Sequence, residues 1–166
     1  KSRGISPKAQ ETFGLGLSPK GWDGLLLASQ VHKLDEGVLN DAGLIVKREE
    51  KTFDFFRERL MFPIIDTNGR VLGFGGRDLK GDGKGPKYIN TPQTEVYDKS
   101  NVLYGLFQAK RAVRNKDRLI LTEGYTDVIA LHQAGIEEAV SASGTALTEG
   151  HIHKIKRFTK NVVLLF

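Results

Sequence analysis

The sequence contains no cysteine. Disulfides and cysteine-ligated zinc are therefore closed to it, and the lack suits a reducing compartment. No apolar run approaches the roughly 18 residues that a membrane helix needs. The opening residues, KSRGISPKAQ, lack the apolar core of a secretory signal. There is no initiating methionine, so we expect a piece of a longer chain. Repeats and low-complexity tracts are missing too. No Ser/His/Asp or Cys/His set is evident, and GFGG lacks the lysine and spacing of a P-loop. The four histidines do not suggest a metal site: His151 and His153 lie two apart on an expected helix and so face different ways, while His32 and His132 stand alone.

What is present is an ordinary globular composition: 166 residues, 39% hydrophobic and 27% charged, enough for one sizeable core or two small ones. The formal charge is +5, unevenly spread. Between Arg57 and Arg118 there are 13 basic and 7 acidic residues, a net of +6 that leaves −1 for the rest. A local basic excess suits a polyanion such as nucleic acid, and it also suits a solvated surface.

The first hundred residues mix elements. ISPKAQETFGLG predicts a short helix with Ser6 as cap, Pro7 at its first position and Gly14 as its stop. GWDGLLLASQVHKLDEG and DEGVLNDAG predict two more helices, each closed by glycine. LIVKREEKTFDFF predicts a strand pair with a charged tip. RLMFPIIDTNGRVLGFGGRDL predicts a hairpin turning at Asn68-Gly69 through a two-residue type I′ turn. KGDGKGP reads as a loop, and Trp22, Phe53, Phe55 and Phe56 read as core. From about residue 105 helix and strand alternate, as RLILTE, YTDVIALHQAG, EEAVSASG, TEGHIHKIKRFT and NVVLLF. Such alternation implies a parallel sheet. The expected fold is an α+β part over residues 1–115, followed by an incomplete α/β part over 116–166.

Glu123 stands where the strand LIL ends, and Asp127 follows one helical turn on. Ligands of open parallel sheets collect at the carboxyl ends of strands. Gly124 allows a tight turn, and SASGT ends the second strand with small residues. Two carboxylates beside small polar loops suit a hard cation such as Mg²⁺. A cap or a plain surface role fits them as well.

The stretches LTEGYTDVIALHQAGI, AVSASGTALT and NVVLLF together resemble the Toprim domain of bacterial replicative primases. SRGISPKA, PKGWDGLL, FRERLMFPIIDTNGRVLGFGGRDL and PKYINTPQTEVYDKSNVLYGL extend the resemblance to the primase RNA-polymerase domain, in its order and spacing, over essentially the whole chain. EGYTDV alone would also fit topoisomerases and recombination factors. The resemblance implies synthesis of short RNA primers on single-stranded DNA from ribonucleoside triphosphates, with Mg²⁺ or Mn²⁺, in the bacterial cytoplasm at replication forks. It also implies a separate amino-terminal zinc domain and a carboxy-terminal contact with the replicative helicase, both outside this chain. In the family an Asp-x-Asp motif follows a strand like NVVLLF, so the chain is expected to stop just before it. The remaining acidic ligands of the metal site are then expected beyond Phe166.

On this resemblance Glu123 is a metal ligand or general base, and Asp127 is a ligand, a supporting group or simply a helix-start acid. Arg3, Arg57, Arg59, Arg77, Lys87 and Lys99 are candidates for template or nucleotide phosphates. Arg77 ends GFGGR, whose glycines could bring N–H groups to a phosphate, and one of Arg57 and Arg59 has a structural reading. Tyr88 could stack on an unpaired base. The rivals are a nucleic-acid-binding module without catalysis and another Toprim enzyme, a topoisomerase or nuclease.

Overall fold

A computed structural model describes residues 4–81, 85–144 and 146–165. In chain order it contains α1 (Pro7–Phe13), β1 (Gly16–Leu17), α2 (Gly24–Val31), α3 (Glu36–Asp41), β2 (Ile45–Arg48), β3 (Lys51–Asp54), β4 (Arg59–Ile65), β5 (Val71–Asp78) and β6 (Tyr88–Asn90). A 3₁₀ turn (Lys99–Asn101) follows, then α4 (Leu106–Lys116), β7 (Leu119–Thr122), α5 (Tyr125–Gln133), β8 (Ala139–Ser141), α6 (Glu149–Lys156) and β9 (Val162–Leu164). The last residue of the expected strand NVVLLF, Phe166, lies outside the described residues, and β9 as observed ends at Leu164. Two compact units result. One takes the described residues up to 14, 63–72 and those from 98 onward, and the other takes 15–62 and 73–97.

Local chemistry sets several ends as expected. The Ser6 hydroxyl accepts the Ala9 N–H at 3.2 Å, Pro7 takes the first position of α1, and Gly14 closes it at φ 62°. The expectation that glycine closes both following helices fails at α2, which ends at His32 with Lys33 at φ 56°. Asp35 caps α3 by accepting from Val38 N–H at 3.1 Å. Asp-Glu-Gly therefore opens the next helix instead of ending the previous one, and Gly43, at φ 67°, follows α3. The start of α2 is capped from a distance: buried Asp54 accepts from the N–H groups of Leu25 and Leu26 at 2.7 and 3.1 Å. β2 and β3 pair antiparallel around Glu49-Glu50, the charged tip read from the sequence.

A sheet of order β1-β4-β5-β6 gives the second unit β1, β6, the start of β4 and most of β5, while residues 63–72, with the turn between β4 and β5, fall to the first unit. The turn joining β4 to β5 departs from the type I′ expectation. Gly69 takes φ 92°, whereas Asn68 stays out of the left-handed region. Gly69 N–H donates to Asp66 O at 3.1 Å, and Asp66 N–H to Arg70 O at 2.9 Å. This is a type I turn with a bulge glycine. The Asp66 carboxylate selects it by accepting from Asn68 and Arg70 N–H at 2.8 and 2.9 Å. Gly75 and Gly76 lie inside β5, paired with Asn90 and Ile89 of β6, so they form no phosphate-cradling loop. At Gly76 a Cβ would stand 2.6 Å from the Phe56 ring, and at Gly73 one would stand 3.0 Å from Thr91, so both positions require close packing. Phe56 is buried as expected, Phe53 and Phe55 are half-buried, and Trp22 is 64% exposed, which removes it from the core.

In the first unit the parallel sheet runs β8-β7-β9, with Ile120 opposite both Ala139 and Val163. All of β7 is buried. Leu106, Ala109 and Val113 of α4 pack with Leu103, Leu119, Leu121, Val140 and Ile155 in its core. At the amino end of β8, fully buried Glu138 meets Lys116 Nζ at 2.7 Å and Arg118 Nη2 at 2.5 Å. Burial pushes its carboxyl up, but the hydrogen bonds from Arg118 and Lys116 outweigh that and hold it at about 2. Half-buried His132 and fully buried His151 make hydrogen bonds that are structural. His132 holds Ala139 O at 2.9 Å with Phe13 edge-on at 5.1 Å, and burial lowers its pKa. Val162, Val163 and Leu164 of β9 are exposed, as is Leu165 after it. No helix among the described residues is long and apolar enough to cross a membrane.

Candidate active site and nucleic-acid interface

The carboxyl ends of β7 and β8 form one rim because the strands are parallel and in register from Ile120–Ala139 to Thr122–Ser141. Thr122 is buried, and its hydroxyl reaches Val140 O at 3.3 Å. The next residue, Glu123, is exposed, and no hydrogen bond or ion pair engages its carboxylate among the described residues. Gly124 has φ −140° and ψ 171°, an extended conformation open to any residue, so its glycine serves space and not a tight turn. A Cβ there would come within 3.2 Å of Asp127 Oδ2. That oxygen accepts the Gly124 N–H at 3.1 Å, so Asp127 does cap α5. The rest of the rim is supplied by Ser141, Ala142, Ser143 and Gly144, with Ser143 at φ 55° and Gly144 at φ 81°. No group of three His, Cys, Asp or Glu able to hold a metal occurs among the described residues, and Glu123 and Asp127 are two carboxylates beside this rim. The expectation that further acidic ligands follow Phe166 concerns positions outside the described residues, as Phe166 itself is.

The basic candidates divide by what they touch. Arg59 is tied down, with Nη1 donating to Gly76 O at 3.2 Å and Pro86 O at 3.1 Å. Arg59 therefore has a structural role in the hold on this segment. Arg57 donates to Asp54 O and lays its guanidinium 4.3 Å from the Trp22 ring centre and 5.3 Å from that of Phe53. Arg77 stands opposite Tyr88 across β5 and β6, its guanidinium 5.7 Å from that ring. Lys87, exposed, precedes Tyr88, and its carbonyl accepts from Asp78 N–H at 2.8 Å. Arg77, Lys87 and Tyr88 thus share one strand end. Lys99, half-buried, opens the 3₁₀ turn of the other unit, the one that carries Glu123. Arg3 lies outside the described residues.

Trp22, read from the sequence as core, and Lys80, not singled out there, lie beside Arg57 and Arg59. Trp22, Phe55, Arg57, Arg59, Asp78, Lys80 and Ile89 line an open hollow of the second unit. Lys80 extends into it and pairs with Glu58 at 3.1 Å. A flat exposed ring backed by a guanidinium is suited to stacking an unpaired base. The legible signal was the setting of Trp22 in PKGWDG, a turn-rich polar stretch that rarely supplies core.

Comparison with known proteins shows the family and the fold. Residues 1–110 match the model of the DNA primase catalytic core, N-terminal domain, and residues 117–166 match a Toprim domain. The chain is 46% identical to the DNA primase of Pseudomonas putida over its full length while spanning 25% of that protein, and 42% identical to that of Escherichia coli, spanning 28%. It spans about a quarter of the curated relatives it matches. Among solved structures, the RNA polymerase domain of the Mycobacterium tuberculosis primase, bound to double-stranded DNA with a 6-nucleotide overhang, superposes with a TM-score of 0.92 at 36% identity, covering 99% of this chain and 54% of that one. A primase catalytic domain bound to single-stranded DNA gives 0.89 at 43% identity, covering 98% and 50%. The chain therefore belongs to the bacterial DNA primase catalytic core family, matching its N-terminal domain over residues 1–110 and a Toprim domain over residues 117–166.

Proposed function

We propose that the chain is part of the catalytic core of a primase that makes short RNA primers on single-stranded DNA from ribonucleoside triphosphates during DNA replication. The observation that carries the reading is Glu123, an exposed carboxylate at the carboxyl end of the central parallel strand. In this reading Glu123 binds Mg²⁺ or Mn²⁺ or takes the proton of the attacking 3′-hydroxyl, and Asp127 supports it while capping α5. The other acidic ligands come from positions after Phe166 in the intact protein. When bound, the metal would supply Lewis-acid stabilisation of the attacking and leaving oxygens. Arg77, Lys87 and Lys99 hold phosphates, with Arg3 as a further contact from the family resemblance. Tyr88 and Trp22 offer faces to bases, and Arg57 holds the Trp22 ring in place. Arg59 contributes by fixing the segment that precedes Lys87.

The wider assembly follows from the same reading. The template and the RNA primer are the nucleic-acid partners, and the replicative helicase is met through a carboxy-terminal domain. Zinc belongs to a separate amino-terminal domain, and the protein works in the bacterial cytoplasm at replication forks. In sequence terms the chain comprises an amino-terminal subdomain over residues 1–115 and a partial Toprim subdomain over 116–166. The test is primer synthesis by the intact protein on single-stranded DNA with ribonucleoside triphosphates and Mg²⁺. Template-dependent RNA that disappears with a chelator is expected. DNA binding without RNA synthesis under any divalent metal would favour a binding module.

A further inference from the structure

Lys99 opens a turn that is fastened by the amino end of α6. The Thr148 hydroxyl donates to Ser100 O at 2.5 Å. The His151 ring is fully buried, with Nε2 2.9 Å from Lys99 O and 3.1 Å from Val102 O. Both neighbours are acceptors, so the hydrogen-bond network assigns the proton to Nε2. Nδ1 then accepts the Thr148 N–H at 3.2 Å. Each ring nitrogen is engaged, and the carbonyls of Lys99, Ser100 and Val102 are all held from α6. Gly150 completes the approach: a Cβ there would stand 2.7 Å from Ser100 O and overlap the Asn101 side chain. From within the turn, the Asp98 carboxylate accepts from Ser100 N–H at 2.9 Å and from its hydroxyl at 2.6 Å. Just beyond it, Tyr104 exchanges backbone hydrogen bonds with Ser141 of β8.

A fully buried imidazole spent on the main chain of a three-residue turn is a large provision for a surface feature. What the provision fixes is the backbone from which the Lys99 side chain extends. We propose that Thr148, Gly150 and His151 are positioning residues that set the Lys99 ammonium for a phosphate, carried either by an incoming nucleotide or by the template strand. The proposal rests on the reading of Lys99 as a phosphate ligand. The three residues reach the 3₁₀ turn through its main chain and the Asn101 side chain, and they act on phosphate only through Lys99.

The experiment uses the intact protein and measures kcat and KM for ribonucleoside triphosphates and Kd for single-stranded DNA. A nucleotide phosphate is diagnosed by a change in KM and a template phosphate by a change in Kd. Lys99→Ala is expected to raise one of these constants about tenfold. Thr148→Val and Gly150→Ala should raise the same constant about threefold to tenfold with kcat within about twofold. Combined with Lys99→Ala, Thr148→Val should add less than about twofold, since it acts through the missing side chain. His151→Gln, which keeps a donor near Nε2, should be milder than His151→Leu. Effects of Thr148→Val and Lys99→Ala that multiply in the double variant would overturn the proposal. So would unchanged constants in Thr148→Val and Gly150→Ala beside an impaired Lys99→Ala. An inert Lys99→Ala in a folded protein would instead reject the phosphate role of Lys99, and the proposal with it.

Discussion

Glu138 shows how one residue can be buried and charged at once. Its side chain is fully buried, yet Lys116 and Arg118 bring ammonium and guanidinium groups to it from half-exposed positions. Its carboxyl is held at about 2, below its ordinary value of 4.5. A depressed carboxyl pKa stabilises the fold above the unfolded value, and that contribution is lost as pH falls from about 4.5 towards 2. Removing the charge also leaves two cations without their acceptor. Because both cations reach solvent, the cost sits below the usual range for a buried pair, at roughly 2 kcal/mol near neutrality. Glu138→Gln should therefore lower the denaturation midpoint at pH 7, and the gap from wild type should shrink below about pH 4.5 and close only as pH falls through about 2. A gap that does not change with pH would contradict the ion-pair account. None of this was visible in EEAVSASG, where Glu137 and Glu138 look alike. Only the strand's placement against α4's end separates the exposed one from the buried one.

Elements whose ends are written in adjacent residues were legible. Ser6-Pro7 and Gly14 bound α1, and the alternation after residue 105 gave β7, α5, β8, α6 and β9 in order. Elements that depend on distant partners were not. The cap of α2 comes from Asp54, some thirty positions along the chain, and no local signal announces it. The Asp66 carboxylate likewise replaced the expected turn at Asn68-Gly69 with another type. The glycines of β5 read as a ligand loop until Phe56 and Thr91 were found against them. Glu123 was legible because chain position alone puts it at a strand end, whereas the exposure of Trp22 needed the tertiary structure. Asp54→Ala should remove two charge-assisted hydrogen bonds and destabilise the protein by about 2 kcal/mol. Amide exchange at Leu25 and Leu26 should rise more than in β2. Equal protection of those amides in the variant would argue against capping from β3.

For the molecule as a whole, the uneven charge finds a use in the nucleic-acid reading. The net +6 between Arg57 and Arg118 includes Arg77, Lys87 and Lys99, the cations assigned to phosphates. Affinity for single-stranded DNA should fall steeply with salt. Each of Arg77→Ala, Lys87→Ala and Lys99→Ala that removes a phosphate contact should reduce the slope by about 1. Trp22→Ala should weaken binding by about 1–3 kcal/mol with little change in slope, as loss of stacking does. Affinity that is flat between low and moderate salt would contradict a phosphate-tracking surface. In the proposed function the chemistry depends on Glu123. The most direct measurement is primer synthesis by the intact protein carrying Glu123→Gln, with thermal unfolding run beside it. The account predicts an unchanged melting temperature and a loss of primer synthesis of at least about a hundredfold. A folded Glu123→Gln protein that makes primers at close to the wild-type rate would contradict it.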